Sequence, residues 1–147
     1  MDNTRLENIE NTLNRILNGR AVIRFPILHQ PTLDRLATFT VSNSLTVHSG
    51  TIPITNIFGS QKTIGEVHCR VSTAPTGSAL IIDIHKNGTT IFTDQSHRPQ
   101  IAVGTTTVTT TTIDITTWSD NEYLTMDVDQ IGSSVNGAGL TVEVRFK

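Results

Sequence analysis

The chain has 147 residues, a formal net charge of −2, 5% aromatic residues and 16% charged residues. That length suits one domain with a modest core, and the charge offers no general grip on nucleic acid. Thr, Ser, Asn and Gly fill the gap, a balance that fits β-rich domains.

Residues 1–20, MDNTRLENIENTLNRILNGR, form the one segment with a helical pattern. Leu6, Ile9, Leu13 and Ile16 fall at a and d positions of a heptad. Thr4 and Glu7 make a capping box, and Gly19 suits a left-handed helix end. The spacing predicts a helix from about Arg5 to Asn18. Isolated helices below about 12–15 residues are marginal in water, so the stripe needs a partner. A seam this narrow predicts helix against helix, and Leu at a with Ile at d favours three or four strands. Arg5 at g and Glu10 at e match the pairing of a parallel bundle. The competing arrangement is an amphipathic helix lying on its own β domain. The segment lacks the apolar stretch of a signal peptide, and no apolar run approaches the ~20 residues of a membrane span. The expectation is a soluble product made in a cytoplasm, without membrane insertion.

From Arg20 onward the helical period is gone. AVIRFPIL, with Pro26, reads as an edge or linker strand. HQPTLDR is a turn region. LATFTVSNSLTVHSG reads as two short strands around Ser42–Ser44, and TIPITNIFGS as another extended run. TIGEVHCRVST alternates through Val67, Cys69 and Val71, so Cys69 is expected to be a buried small hydrophobe. As the single cysteine it excludes an intrachain disulfide framework. SALIIDIHK alternates through Leu80, Ile82 and Ile84, Asn87-Gly88 predicts a two-residue hairpin turn, and TTIF is its return strand. QIAVG, the Thr-rich TTTVTTTTIDITTW, EYLTMDVDQIG and GLTVEVRFK complete the series. The Thr-rich run is read as a strand with one hydroxylated face rather than a disordered stalk, because Val108, Ile113 and Ile115 interrupt it. Eight to ten strands with short turns and no intervening helices predict a mainly β fold, an antiparallel β-sandwich or jelly roll. Half-polar alternation argues against a parallel sheet. Homo-oligomer packing is one way to protect the edge strands of so small a sandwich.

Candidate chemistry is sparse. Asp83 and His85 are two apart on one strand face, but no nucleophile is specified for them: Ser72 and Ser78 are near, neither in a G-x-S-x-G turn. Asp127 and Asp129 share a face and invite comparison with glycosidase carboxylates. DVDQIGSSVNG also has a partial likeness to a calcium loop, but Ile131 and Ala138 occupy ligand positions. Polar, solvated or interfacial faces are the simpler reading of both pairs. The histidines at positions 29, 48, 68, 85 and 97 are dispersed, and a metal held by one His from each of three subunits stays open. Trp118 and Tyr123 are the candidate ligand-contact residues, as an aromatic sugar platform. The competing role for them is capping the end of the core. No catalytic residue, metal site or cofactor is expected.

STAPTGSALIIDIHKNGTTIF (72–92), RPQIAVGTTT and LTMDVDQIGSSVNGAGLTVEV together resemble a domain of tailed-bacteriophage virion structural proteins. The resemblance spans about residues 63–147. It implies a jelly-roll-like β domain, usually trimeric and without catalytic residues, found in tail fibres and baseplate appendages and in head fibres or decoration proteins. By that analogy residues 1–20 are a helical trimerisation or attachment stem and residues 21–147 the knob. The expected function is a non-enzymatic virion protein, a homotrimeric tail or baseplate appendage located on the virion. Its expected partners are itself, neighbouring virion proteins and a host surface glycan or protein. Capsid decoration is the alternative within that class. A carbohydrate-binding module using Trp118 and Tyr123, and a hydrolase using Asp127 and Asp129, are the alternatives outside it.

Overall fold

A computed structural model describes residues 35–147. The predicted stem, with Leu6, Ile9, Leu13 and Ile16, the boundary at residue 20 and the AVIRFPIL strand lie outside the described residues. Ten strands are described: β1 (Leu36–Ser44), β2 (Ile54–Thr55), β3 (Lys62–Arg70), β4 (Leu80–Lys86), β5 (Thr89–Thr90), β6 (Gln100–Ile101), β7 (Thr107–Thr110), β8 (Thr117–Trp118), β9 (Tyr123–Gln130) and β10 (Ala138–Phe146). A 3₁₀ turn covers Gln95–His97. The fold is mainly β, with two five-stranded sheets in a sandwich-like arrangement and every strand pair antiparallel. The first sheet runs β1-β10-β3-β7 with β8 also on β3; the second runs β2-β9-β4-β5 with β6 also on β4.

Alternation builds the core. Leu140, Val142, Val144 and Phe146 of β10 point inward, as do Val67 and Cys69 of β3. The second sheet contributes Leu80, Ile82 and Ile84 of β4, with Leu124, Met126 and Val128 of β9. Cys69 is fully buried, and that burial pushes its thiol up to about 12, so it behaves as a small apolar side chain.

The Asn87-Gly88 turn forms as expected. Both residues have positive φ, 51° and 82°, the requirement of the tight turn that joins right-twisted strands.

Three expectations need correction. LATFTVSNS is one strand, not two; Asn43 takes a positive φ of 68° and the register slips between Val41 and Ser44. After it the chain crosses to the second sheet and meets β9 through the His48–Val128 bridge and through Thr51, whose N–H donates to Met126 O and whose hydroxyl accepts from Met126 N, before β2. The Thr-rich run is two short strands, not one. β7 and β8 pair with opposite ends of β3, and between them Asp114 and Ile115 donate backbone N–H groups to Ile91 O. The return strand after Asn87-Gly88 is only β5, because Ile91 and Phe92 are drawn completely into the core.

Candidate functional site

The register of β4 against β9 brings the two pairs marked in the sequence, Asp83–His85 and Asp127–Asp129, into one cluster. Asp83 stands opposite Asp127 and His85 opposite Thr125. Asp83 is 3% exposed, so it is no part of a solvated face; its neighbours across the sheet and beyond the hairpin remove it from water. Its Oδ1 accepts a hydrogen bond from Thr90 Oγ1 at 2.7 Å, and His85 Nε2 is 4.0 Å from its Oδ2. Asp127 Oδ1 accepts from Gly50 N at 2.7 Å, and its Oδ2 lies 3.5 Å from His85 Nδ1. That ring nitrogen is buried without a hydrogen-bond partner. Asp129 is ion-paired with Arg98.

Burial pushes the Asp83 carboxyl above the usual carboxylate range, and the Asp129 charge adds to this; the Thr90 hydrogen bond and the His85 charge pull it back. The cluster is thus three carboxylates around one imidazole and one guanidinium. Neither serine considered beside it is aimed at His85. Ser78 Oγ donates to Ile131 O at 2.8 Å and Ser72 Oγ to Ala138 O at 2.9 Å. A hydroxyl spent on a backbone carbonyl elsewhere is not a nucleophile held by this imidazole.

A second imidazole cluster escaped the sequence reading. His97 Nδ1 is 2.9 Å from Asp114 Oδ1, and its Nε2 is 3.7 Å from Asp94 Oδ2. Asp114 also accepts from Asp94 N at 2.8 Å, and Asp94 accepts from Ser96 N and Oγ. These N–H and O–H donors hold both carboxyls below their ordinary range. Asp94 and His97 are only three residues apart, but Asp114 lies 17 residues beyond His97 and only the fold brings it to them. Among the described residues, no group of three His, Cys, Asp or Glu side chains is arranged to hold a metal ion.

Trp118 and Tyr123 come to one pole of the sandwich but part company there. Trp118 is 1% exposed, stacked on Phe146 at 4.9 Å and edge-on to Phe58 at 6.5 Å. Its Nε1 donates to Glu122 O at 3.0 Å. It caps the core and presents no platform to a ligand. Tyr123 is 39% exposed at the start of β9. Asn56 fastens this pole: completely buried, it donates from Nδ2 to Ser60 O and Trp118 O and accepts from Phe58 N. Glu122 accepts from Ser119 N at 2.6 Å and sits 3.4 Å from Lys86 Nζ, which holds its carboxyl below the usual range. Arg35, the first described residue, lies at this same pole, where its O accepts from Phe146 N.

The opposite pole is made by loops 72–79, 102–106 and 131–137, tied to one another rather than free. Thr76 pairs with Val135, Gly104 N donates to Pro75 O, Leu45 N donates to Gly137 O, and Asn136 Nδ2 donates to Leu45 O. Gly132 is required here: a Cβ at this position would lie 1.9 Å from Val135 O. These loops contain no Asp, Glu, Lys or Arg, and they expose Val103 at 52% and Val135 at 43%. The DVDQIGSSVNG stretch is therefore the end of β9 plus a closed turn.

No family model matches the chain, and no curated protein matches it. No helix among the described residues is long and apolar enough to cross a membrane.

Proposed function

We propose that the chain is a non-enzymatic bacteriophage virion protein: a homotrimeric tail or baseplate appendage, held by its N-terminal segment, with the β domain as a jelly-roll-like knob. The polarity of the sandwich carries this reading. The described β domain begins at the Trp118 pole, at Arg35. The far pole is a set of cross-tied loops, uncharged and rigidly fastened. That is a sensible division for an appendage attached at one end and contacting a surface at the other. Loops already fixed by hydrogen bonds lose little conformational freedom on binding.

Two further observations support it. The signature over about residues 63–147 resembles virion structural domains, and its parts do structural work here: APTGS and GSSVNG close the far pole and Asn87-Gly88 makes a hairpin. The heptad seam of Leu6, Ile9, Leu13 and Ile16 supplies a route to three copies. The carboxylates offered for hydrolysis, Asp127 and Asp129, are engaged with Gly50 and Arg98, which favours scaffold over chemistry.

Purified particles of the phage that encodes the chain provide the test. The reading expects its peptides among the virion proteins at a copy number divisible by three. It also expects excess purified chain to slow adsorption to the host. Absence of the peptides from washed particles would refute it. Presence on particles with no effect on adsorption would move the assignment to capsid decoration.

A further inference from the structure

From Leu36 to Gln61 the chain has no Asp, Glu, Lys or Arg, whereas 16% of the whole is charged. This run comprises β1, the crossover and β2, so its lack of charge falls on one side of the sandwich, where both sheets have an edge strand. Soluble proteins guard such edges with charged side chains, prolines, bulges or covering segments, because unpaired N–H and C=O groups are a template for another strand. β1 is nine residues long, and its only strand partner among the described residues is β10. It has neither charge nor proline, and its bulge comes only at its end, between Val41 and Ser44. Between β1 and the β2 segment runs a groove of about 550 Å³ lined by Thr38, Phe39, Thr40, Thr51, Ile52 and Ile54, among others. Ile52 is 87% exposed and Ile57, just past β2, 80% exposed.

We infer that this seam is an interface between copies of this chain, with the outer edge of β1, unpaired among the described residues, and Ile52 of one copy packing against a second copy. The inference rests on the homotrimer of the proposed function and adds where the β domains meet. Charge decides the occupant. A partner with a charged surface would bury its ions against a groove whose lining residues carry no charge, at a large desolvation cost. The β1 side of one copy's seam meeting the uncharged Ile52 side of the next is a heterologous contact that strands no charge, and the cores of protein interfaces are depleted in charge. Three such contacts related by rotation close into a ring and leave no seam open.

The experiment uses the full-length chain and compares its solution mass with those of Ile52→Lys and Val103→Lys. Both positions are exposed, at 87% and 52%, so neither lysine enters the core, and circular dichroism verifies the fold. Val103 belongs to the far pole and serves as control. The expected result is a trimer for the wild type and for Val103→Lys. Ile52→Lys should dissociate at concentrations at least tenfold higher. Hydrogen exchange across residues 36–44 should be slow in the trimer and fast in Ile52→Lys. Unaltered assembly of Ile52→Lys, or fast exchange of 36–44 within an assembled wild type, would overturn the interface while leaving the virion reading intact. A monomeric wild type would overturn the interface and the trimer together, and detection of the chain on particles would still test the virion reading.

Discussion

Asp83 and Asp127 face each other across β4 and β9, with His85 Nδ1 3.5 Å from one carboxylate oxygen and Nε2 4.0 Å from the other residue's carboxylate. Like charges directly opposite in a sheet are destabilising, and burial adds a desolvation penalty to Asp83. Its carboxyl is therefore easier to protonate in the folded chain than in the unfolded one. A group raised in this way supports stability at acid pH, and that support is lost as pH rises through its folded-state value. Asp83→Asn keeps an acceptor for Thr90 and removes the charge. The variant should match the wild type at pH 4 and be the more stable of the two at pH 8, since the ionised carboxylate is the form that burial disfavours in the folded chain. Urea unfolding at the two pH values measures this. A variant that loses stability specifically at pH 8 would show that the Asp83–His85 attraction outweighs the penalty.

Glu122 behaves in the opposite sense. The Ser119 N–H and the Lys86 ammonium hold its carboxyl low, so its contribution is present above the usual carboxylate range and is lost as pH falls through its lowered value. Glu122→Gln should unfold at lower urea than the wild type near neutral pH, and the two midpoints should converge in acid. Parallel midpoints at all pH values would mean that the carboxylate is not what fastens this pole.

Trp118 and Tyr123 should separate in a stability measurement. Trp118→Ala removes a buried indole stacked on Phe146, a change that typically costs about 3–5 kcal/mol. Tyr123→Ala lies at an exposed strand end and should cost about 0.5 kcal/mol. Equal losses would contradict the assignment of Trp118 alone to the core.

Gly132→Ala should open the far pole. A methyl group placed 1.9 Å from Val135 O forces the 131–137 turn apart, and overpacking of this kind costs about 3 kcal/mol or less when the backbone can yield. Faster proteolysis within 131–137 should accompany it. A variant with wild-type stability and unchanged protease resistance would show that the turn adapts freely.

Much of the architecture was legible because period-two alternation reports which side chains share a face. Leu80, Ile82 and Ile84, the β10 series and Cys69 all point where that alternation sends them. Register between strands leaves no such trace. Asp83 meets Asp127 only because β4 lies beside β9 with a shift between Ile81 and Ile82, and the Asp83–His85 and Asp127–Asp129 pairs that looked separate are one cluster. Composition alone also misled over the Thr-rich run, where long-range hydrogen bonds to Ile91 break a segment whose β propensity is uniformly high. Trp118 sits in a loop-like context in sequence, and only the approach of Phe146 and Phe58 places it inside. The uncharged run from Leu36 to Gln61 was visible in the sequence throughout; it acquired meaning when its strands proved to be the two edges of one seam.

The central claim is that this chain is an external part of a phage particle. Immunogold labelling of intact virions with an antibody to the β domain tests it most directly. The account predicts label at the tail or baseplate; label on heads would instead assign capsid decoration. Particles without label on either part, under conditions in which the same antibody recognises the purified folded chain, would contradict it.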